Sequence, residues 1–164
     1  MREADVIELV GGLAGVEVMT AGSDTGAPEV AWGDSFFFYD PDGDGGVTRQ
    51  PFATVVTSNY PGFDTASDLD RPGVFRVNVA VERQTFEALL GYAPADHERH
   101  RADVDFAALD RLVPHPVYAA QGWVCVLNPG AATQVQLEAL LLDAHARAVA
   151  RHGRRRAARE PDGG

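Results

Sequence analysis

The residues of this chain that could do chemistry gather in one region. Asn59, Tyr60, Asp64, Asp68, Asp70 and Arg71 lie in a stretch that reads as a long loop between two strands. Arg76 and Asn78 follow two residues apart, and His115, Tyr118, Gln121 and Trp123 come later. An arginine offers a planar cationic fork to a carboxylate or phosphate. A histidine offers a ring that titrates near neutral pH. His115 stands between Pro114 and Pro116, whose fixed φ angles hold its backbone. If the loop folds over the sheet, Arg76, Asn78, Asp64, Arg71, His115, Tyr118 and Trp123 line a ligand site, with an anchor for an anion and a titrating group. The competing reading is structural. In it the loop acids cap turns, pair with Arg71 and Arg76, and hold the loop down.

Other groupings are weaker. Asp40-Pro41-Asp42-Gly43-Asp44-Gly45 matches the first half of a calcium loop, but position 12 is Pro51 where a bidentate Glu belongs. A hairpin turn rich in Asp and Gly explains it better. His97 and His100 are spaced i, i+3, with Asp96 and Asp103 nearby, and no further Cys or His stands at a metal-like spacing. No metal or cofactor is implied. Ser23, Ser35, Ser58 and Ser67 lack a nucleophile elbow. Cys125 lies between Val124 and Val126 in an apolar strand, where a thiol is inert packing.

The elements that must position these residues can be read from periodicity. Val6, Leu9, Val10 and Leu13 mark one helix face. Strands are expected over 16–20, 35–40, 52–58 and 73–81. In the last, Phe75, Val77, Val79 and Val81 point one way and Arg76 and Asn78 the other, so one face meets a core and the other meets solvent or a site. Phe86, Leu89 and Leu90 share a helix face. Residues 94–104 read as a short polar helix or loop, and Asp105 is expected to cap a helix over 106–112 that Pro114 ends. A strand over 123–127 precedes a long helix over 132–152, whose stripe is Leu137, Leu140, Leu141, Ala144 and Ala148. This order predicts an α+β domain over 1–152. Its mainly antiparallel sheet has about five strands, with the N-terminal and C-terminal helices packed on it. A disordered Arg-rich tail is expected over 153–164.

Three stretches carry a resemblance: WGDSFFFYDPDGD (32–44), YPGFDTASDLDRPGVFRVN (60–78) and HPVYAAQGWV (115–124). Together they resemble a family of small bacterial proteins known only as a domain of unknown function, over nearly the whole chain up to about residue 150. More distantly, the layout is similar to MmcQ/YjbR-like domains, with Leu13-Ala14-Gly15-Val16 in place of their Leu-Pro-Gly-Val turn. That likeness implies a small α+β fold, of a kind often labelled DNA-binding.

Charge bounds the partners. The 164 residues carry a net charge of −10, with no lysine. Residues 1–143 hold 8 Arg and 22 acids, and residues 144–164 hold 6 Arg and 2 acids. An acidic body repels phosphate backbones, so nucleic-acid binding is disfavoured except through the Arg-rich end. No signal peptide or membrane-length apolar run is visible, and with one cysteine a cytoplasmic location is expected. The expected function is a non-catalytic module that binds a small molecule or a protein partner. An enzyme acting on a small anionic substrate through His115 and Arg76 is the alternative, and weak DNA binding through the C-terminal arginines is a third. The oligomeric state is left open.

Overall fold

A computed structural model describes residues 1–44 and 50–160. The second half of the Asp/Gly turn and the last residues of the expected tail lie outside them. The chain forms α1 (Glu3–Gly11), β1 (Val16–Thr20), β2 (Ser35–Tyr39), β3 (Ala53–Val56), β4 (Arg76–Ala80), α2 (Arg83–Leu90), α3 (His97–His100), β5 (Leu112–Pro114), β6 (Trp123–Leu127) and α4 (Gln134–Arg159). The strands make one antiparallel sheet in the order β1-β2-β3-β4-β6-β5.

The period-2 pattern gives the sheet two different faces. Phe37, Ala53, Val55, Val77, Val79, Val124 and Val126 join one core with Val6 and Val10 of α1 and Leu137, Leu140, Leu141, Ala144 and Ala148 of α4. Fully burying a side chain of Val or Leu size is worth roughly 1.5–3 kcal/mol, so this face anchors the fold. The opposite face carries Phe36, Thr54, Asn78 and Cys125, which register places side by side across β2, β3, β4 and β6. Residues 57–75 and the segment around His115 cover that face.

Three expectations change. No helix forms over 106–112. Asp110 adopts φ 52°, which ends any helical run, and Leu112–Pro114 instead pairs with β6 as a sixth strand. The Asp110 carboxylate accepts hydrogen bonds from the backbone N–H groups of Gly130, Ala132 and Thr133 and from the Thr133 hydroxyl, which organises the entry to α4. The third change is at the C-terminus: α4 continues past 152 to Arg159, so residues 153–159 are helical and not a disordered tail. Residues 94–103 form a short α-turn flanked by 3-10 turns.

Gly122 sets where β6 begins. Its φ is +89°, and a Cβ there would stand 3.0 Å from the Val81 carbonyl oxygen. Only a glycine accommodates both, and the close approach sets Trp123 opposite Ala80. Among the described residues no helix is long and apolar enough to cross a membrane.

Candidate functional site

Arg76 is the centre of the covered face. Its side chain is 1% exposed, and four of the five guanidinium hydrogens have an acceptor in the protein. Nε donates to Asn78 Oδ1 at 2.8 Å, Nη1 to Asp64 Oδ1 at 3.1 Å and to Ser67 Oγ at 2.8 Å, and Nη2 to Asp64 Oδ2 at 2.6 Å. The remaining Nη2 hydrogen faces His115 Nε2 at 3.4 Å. Asn78 in turn donates from Nδ2 to Thr54 Oγ1 at 2.9 Å. Burial works against the guanidinium charge, but the Asp64 bonds outweigh it and hold the group protonated.

The loop that brings Asp64 to Arg76 is fastened at several points. Tyr60 and Asp64 close a tight turn by exchanging backbone hydrogen bonds at 2.9 and 2.8 Å. Asp34, at the entry to β2, accepts from the Thr57 N–H at 2.8 Å and from the Tyr60 hydroxyl. Burial raises Asp34 above the ordinary carboxylate range, against the pull of those bonds. Burial and then Asp34 push the Tyr60 phenol up. Farther along, Asn59 Oδ1 accepts from the Leu69 N–H at 2.9 Å, and the buried Leu69 packs with Val56 and Leu127.

His115 is held by its own turn. Nδ1 accepts from the Val117 and Tyr118 N–H groups, both at 3.0 Å. With that lone pair engaged, the ring proton of the neutral form belongs on Nε2. Burial and then the Arg76 charge push His115 down to about 3, although Asp64 pulls the other way. The neutral ring therefore sets an Nε2–H donor against an Nη2–H donor of Arg76.

These groups line a cavity of about 510 Å3. Asp64, Arg76, Asn78, His115, Tyr118 and Trp123 all border it, so six of the seven residues expected at the site converge. Arg71 does not. It donates to the carbonyls of Asp68, Ser67 and Ala107 and staples the loop. Phe36, Thr54, Tyr60 and Phe63 also line the cavity. Phe36 and Thr54 were legible in principle, because they alternate out of the core on β2 and β3. The mouth is aromatic: Phe63 and Tyr118 meet edge-on at 6.2 Å, and both are exposed. The Cys125 thiol is buried beneath this face and pushed up to about 12 by burial, so it is no nucleophile. Among the described residues no group of three or more His, Cys, Asp or Glu side chains could hold a metal ion.

A family model covering residues 1–157 matches this sequence, that of a family of unknown function. The chain belongs to DUF6194. The three stretches that carried the resemblance thus fall within a match of nearly the whole chain, and in this DUF6194 member they supply Phe36, Asp64, Arg76 and His115 to one cavity. No curated protein and no solved structure matches it, so the MmcQ/YjbR-like likeness rests on the sequence alone.

Proposed function

We propose that this DUF6194 chain is a non-catalytic binding module whose cavity over β3, β4 and β6 takes a small, flat ligand that carries a hydrogen-bond acceptor. The observation behind it is the pair of opposed donors, His115 Nε2–H and Arg76 Nη2–H, bordering a cavity of about 510 Å3 with aromatic walls. One acceptor oxygen or ring nitrogen on a ligand would satisfy both. Arg76 is no free anion anchor, since Asp64 neutralises it and its other hydrogens are engaged. A histidine held at about 3 is a weak general base at neutral pH, which speaks against the enzyme alternative. The test is a thermal-shift screen of planar metabolites on the wild type and on Tyr118→Ala, a change at the exposed mouth that leaves the core intact. Hits should stabilise the wild type and lose most of that effect in the variant. An empty screen, or hits that shift both proteins equally, overturns the reading.

A protein partner is the second reading, and α4 favours it. Val135, Ala139, Leu142, Ala146 and Val149 are exposed at alternating spacings of four and three, an apolar seam on the outer face of the helix. Val135 is 82% exposed. The occupant that fits is a second copy running antiparallel, which sets the half of α4 with Glu138 and Asp143 against the arginine-rich half. Sedimentation should give a dimer that Leu142→Glu converts to monomer. A wild type that stays monomeric at high concentration sinks this reading.

A further inference from the structure

We propose that the ligand cavity continues past Trp123 into a cationic subsite on α4, and that the cleft takes a flat heteroaromatic ring bearing a phosphate, with the phosphate on Arg151 and Arg155. This rests on the small-ligand reading above and names the ligand class. A second cavity of about 290 Å3 lies where α4 passes the strand ends, lined by Tyr39, Ala80, Arg151, His152 and Arg155 among others. Gln50, Pro51 and Trp123 line both cavities, so the two are adjacent.

The cationic wall is set by the helix repeat. Arg147, Arg151 and Arg155 are four residues apart and share one stripe. Arg147 fixes which way that stripe faces, because it donates to the Ala80 carbonyl at the end of β4 and pairs with Asp143 at 3.2 Å. Among the described residues, Arg151 and Arg155 have no acidic partner within ion-pair distance, in a chain of net charge −10. The nearby Asp42 is engaged by His152 at 3.2 Å. Burial, and then the charges of Arg147, Arg155 and Arg154, push Arg151 below the ordinary guanidinium range, a stress that a bound anion relieves.

Two guanidinium forks suit the several oxygens of a phosphate, which they can engage bidentately. The ring end is set by the first cavity: aromatic walls, a neutral histidine and an arginine whose charge Asp64 cancels. A long polyanion is disfavoured by the acidic body, which points to a compound of mononucleotide size.

The experiment is calorimetry on the full chain with matched pairs: adenosine and its 5′-monophosphate, uridine and its 5′-monophosphate, riboflavin and its 5′-phosphate, with inorganic phosphate alone as a further probe. For at least one pair the phosphorylated member should bind about tenfold or more tighter, and moderate salt should erode that preference. Arg151→Gln with Arg155→Gln should bring the phosphorylated compound to the level of its unphosphorylated partner. The charge-matched control Arg99→Gln with Arg156→Gln, one on α3 and the other on the far side of α4 from the stripe, should keep the preference. Melting curves confirm that both variants fold. Equal binding of both members of every pair, or a preference that survives in the Arg151/Arg155 variant, overturns the cationic subsite and leaves the first cavity standing. Inorganic phosphate binding as tightly as the best compound overturns the continuous cleft. If no pair binds, this inference falls, and the broader thermal-shift screen decides the cavity separately.

Discussion

Arg76 and Asp64 meet in two parallel hydrogen bonds, Nη1 to Oδ1 at 3.1 Å and Nη2 to Oδ2 at 2.6 Å, with both side chains buried. One residue comes from a central strand and the other from the covering loop, so the pair ties cover to sheet. A buried ion pair is worth less than its short distances suggest, because both charges lost their hydration. Removing one partner is a different matter, because the other charge is then buried alone.

Arg76→Met should therefore cost about 3–5 kcal/mol in urea unfolding. Adding Asp64→Leu to that variant should recover a substantial part of the loss, since no charge is then left stranded. A double variant no more stable than Arg76→Met would show that the pair does not couple loop to sheet.

His115 makes stability depend on pH with a definite sign. Its folded value of about 3 lies below the ordinary 6.5, so the unfolded chain binds the extra proton between those two values. Its contribution is full above about 6.5, falls as pH drops through that window, and levels off below about 3. The slope from one such group approaches roughly 1.4 kcal/mol per pH unit. His97, which burial also lowers, adds a slope of the same sign, so the comparison must be with a variant. His115→Asn keeps an acceptor for the two backbone N–H groups and should flatten the curve between pH 5 and 7, as followed by urea midpoints. An unchanged slope would contradict the neutral, buried ring.

Asn128 joins the end of β6 to the loop before β4. Its Oδ1 accepts from the Phe75 N–H at 2.9 Å, its Nδ2 donates to the Gly73 carbonyl at 3.1 Å, and its φ is 45°. Asn128→Gly removes the side-chain bonds and should cost about 1 kcal/mol. Asn128→Ala adds the left-handed backbone penalty, about 1 kcal/mol more. Thermal melts that rank the two variants in the reverse order would refute this account.

Cys125 should resist thiol reagents in the native state at neutral pH. It is fully buried and its thiolate is disfavoured. In denaturant it should react at the rate of an ordinary thiol, so its labelling rate tracks opening of the sheet. Rapid native labelling would place the thiol at an accessible surface.

The α+β class, the core face of β4 and the apolar stripe of α4 were legible because each is a local repeat of period 2 or 3.6. Most of the candidate site was legible by residue type, yet its wiring was not. Arg76 was read as an anchor for an outside anion, but its acid is internal, and only the path of the loop places Asp64 against it. β5 was hidden for a similar reason. Leu112-Val113-Pro114 is too short for a repeat, and its pairing with β6 crosses a turn containing His115. The C-terminal arginines read only as an Arg-rich end running into a disordered tail, because nothing local in the sequence places Arg151 and Arg155 in one cavity with Trp123.

β3 and β4 are hydrogen-bonded antiparallel neighbours, so a two-residue turn would suffice to join them. The far longer segment 57–75 is thus dispensable to the connectivity of the sheet. Cutting it back to such a turn would leave every strand register available and turn a roofed chamber into an open plate, with Arg76 and His115 facing water. The strands supply the floor of the cavity with Thr54, Arg76, Asn78 and Trp123, and the loop supplies Tyr60, Phe63 and Asp64 as its roof.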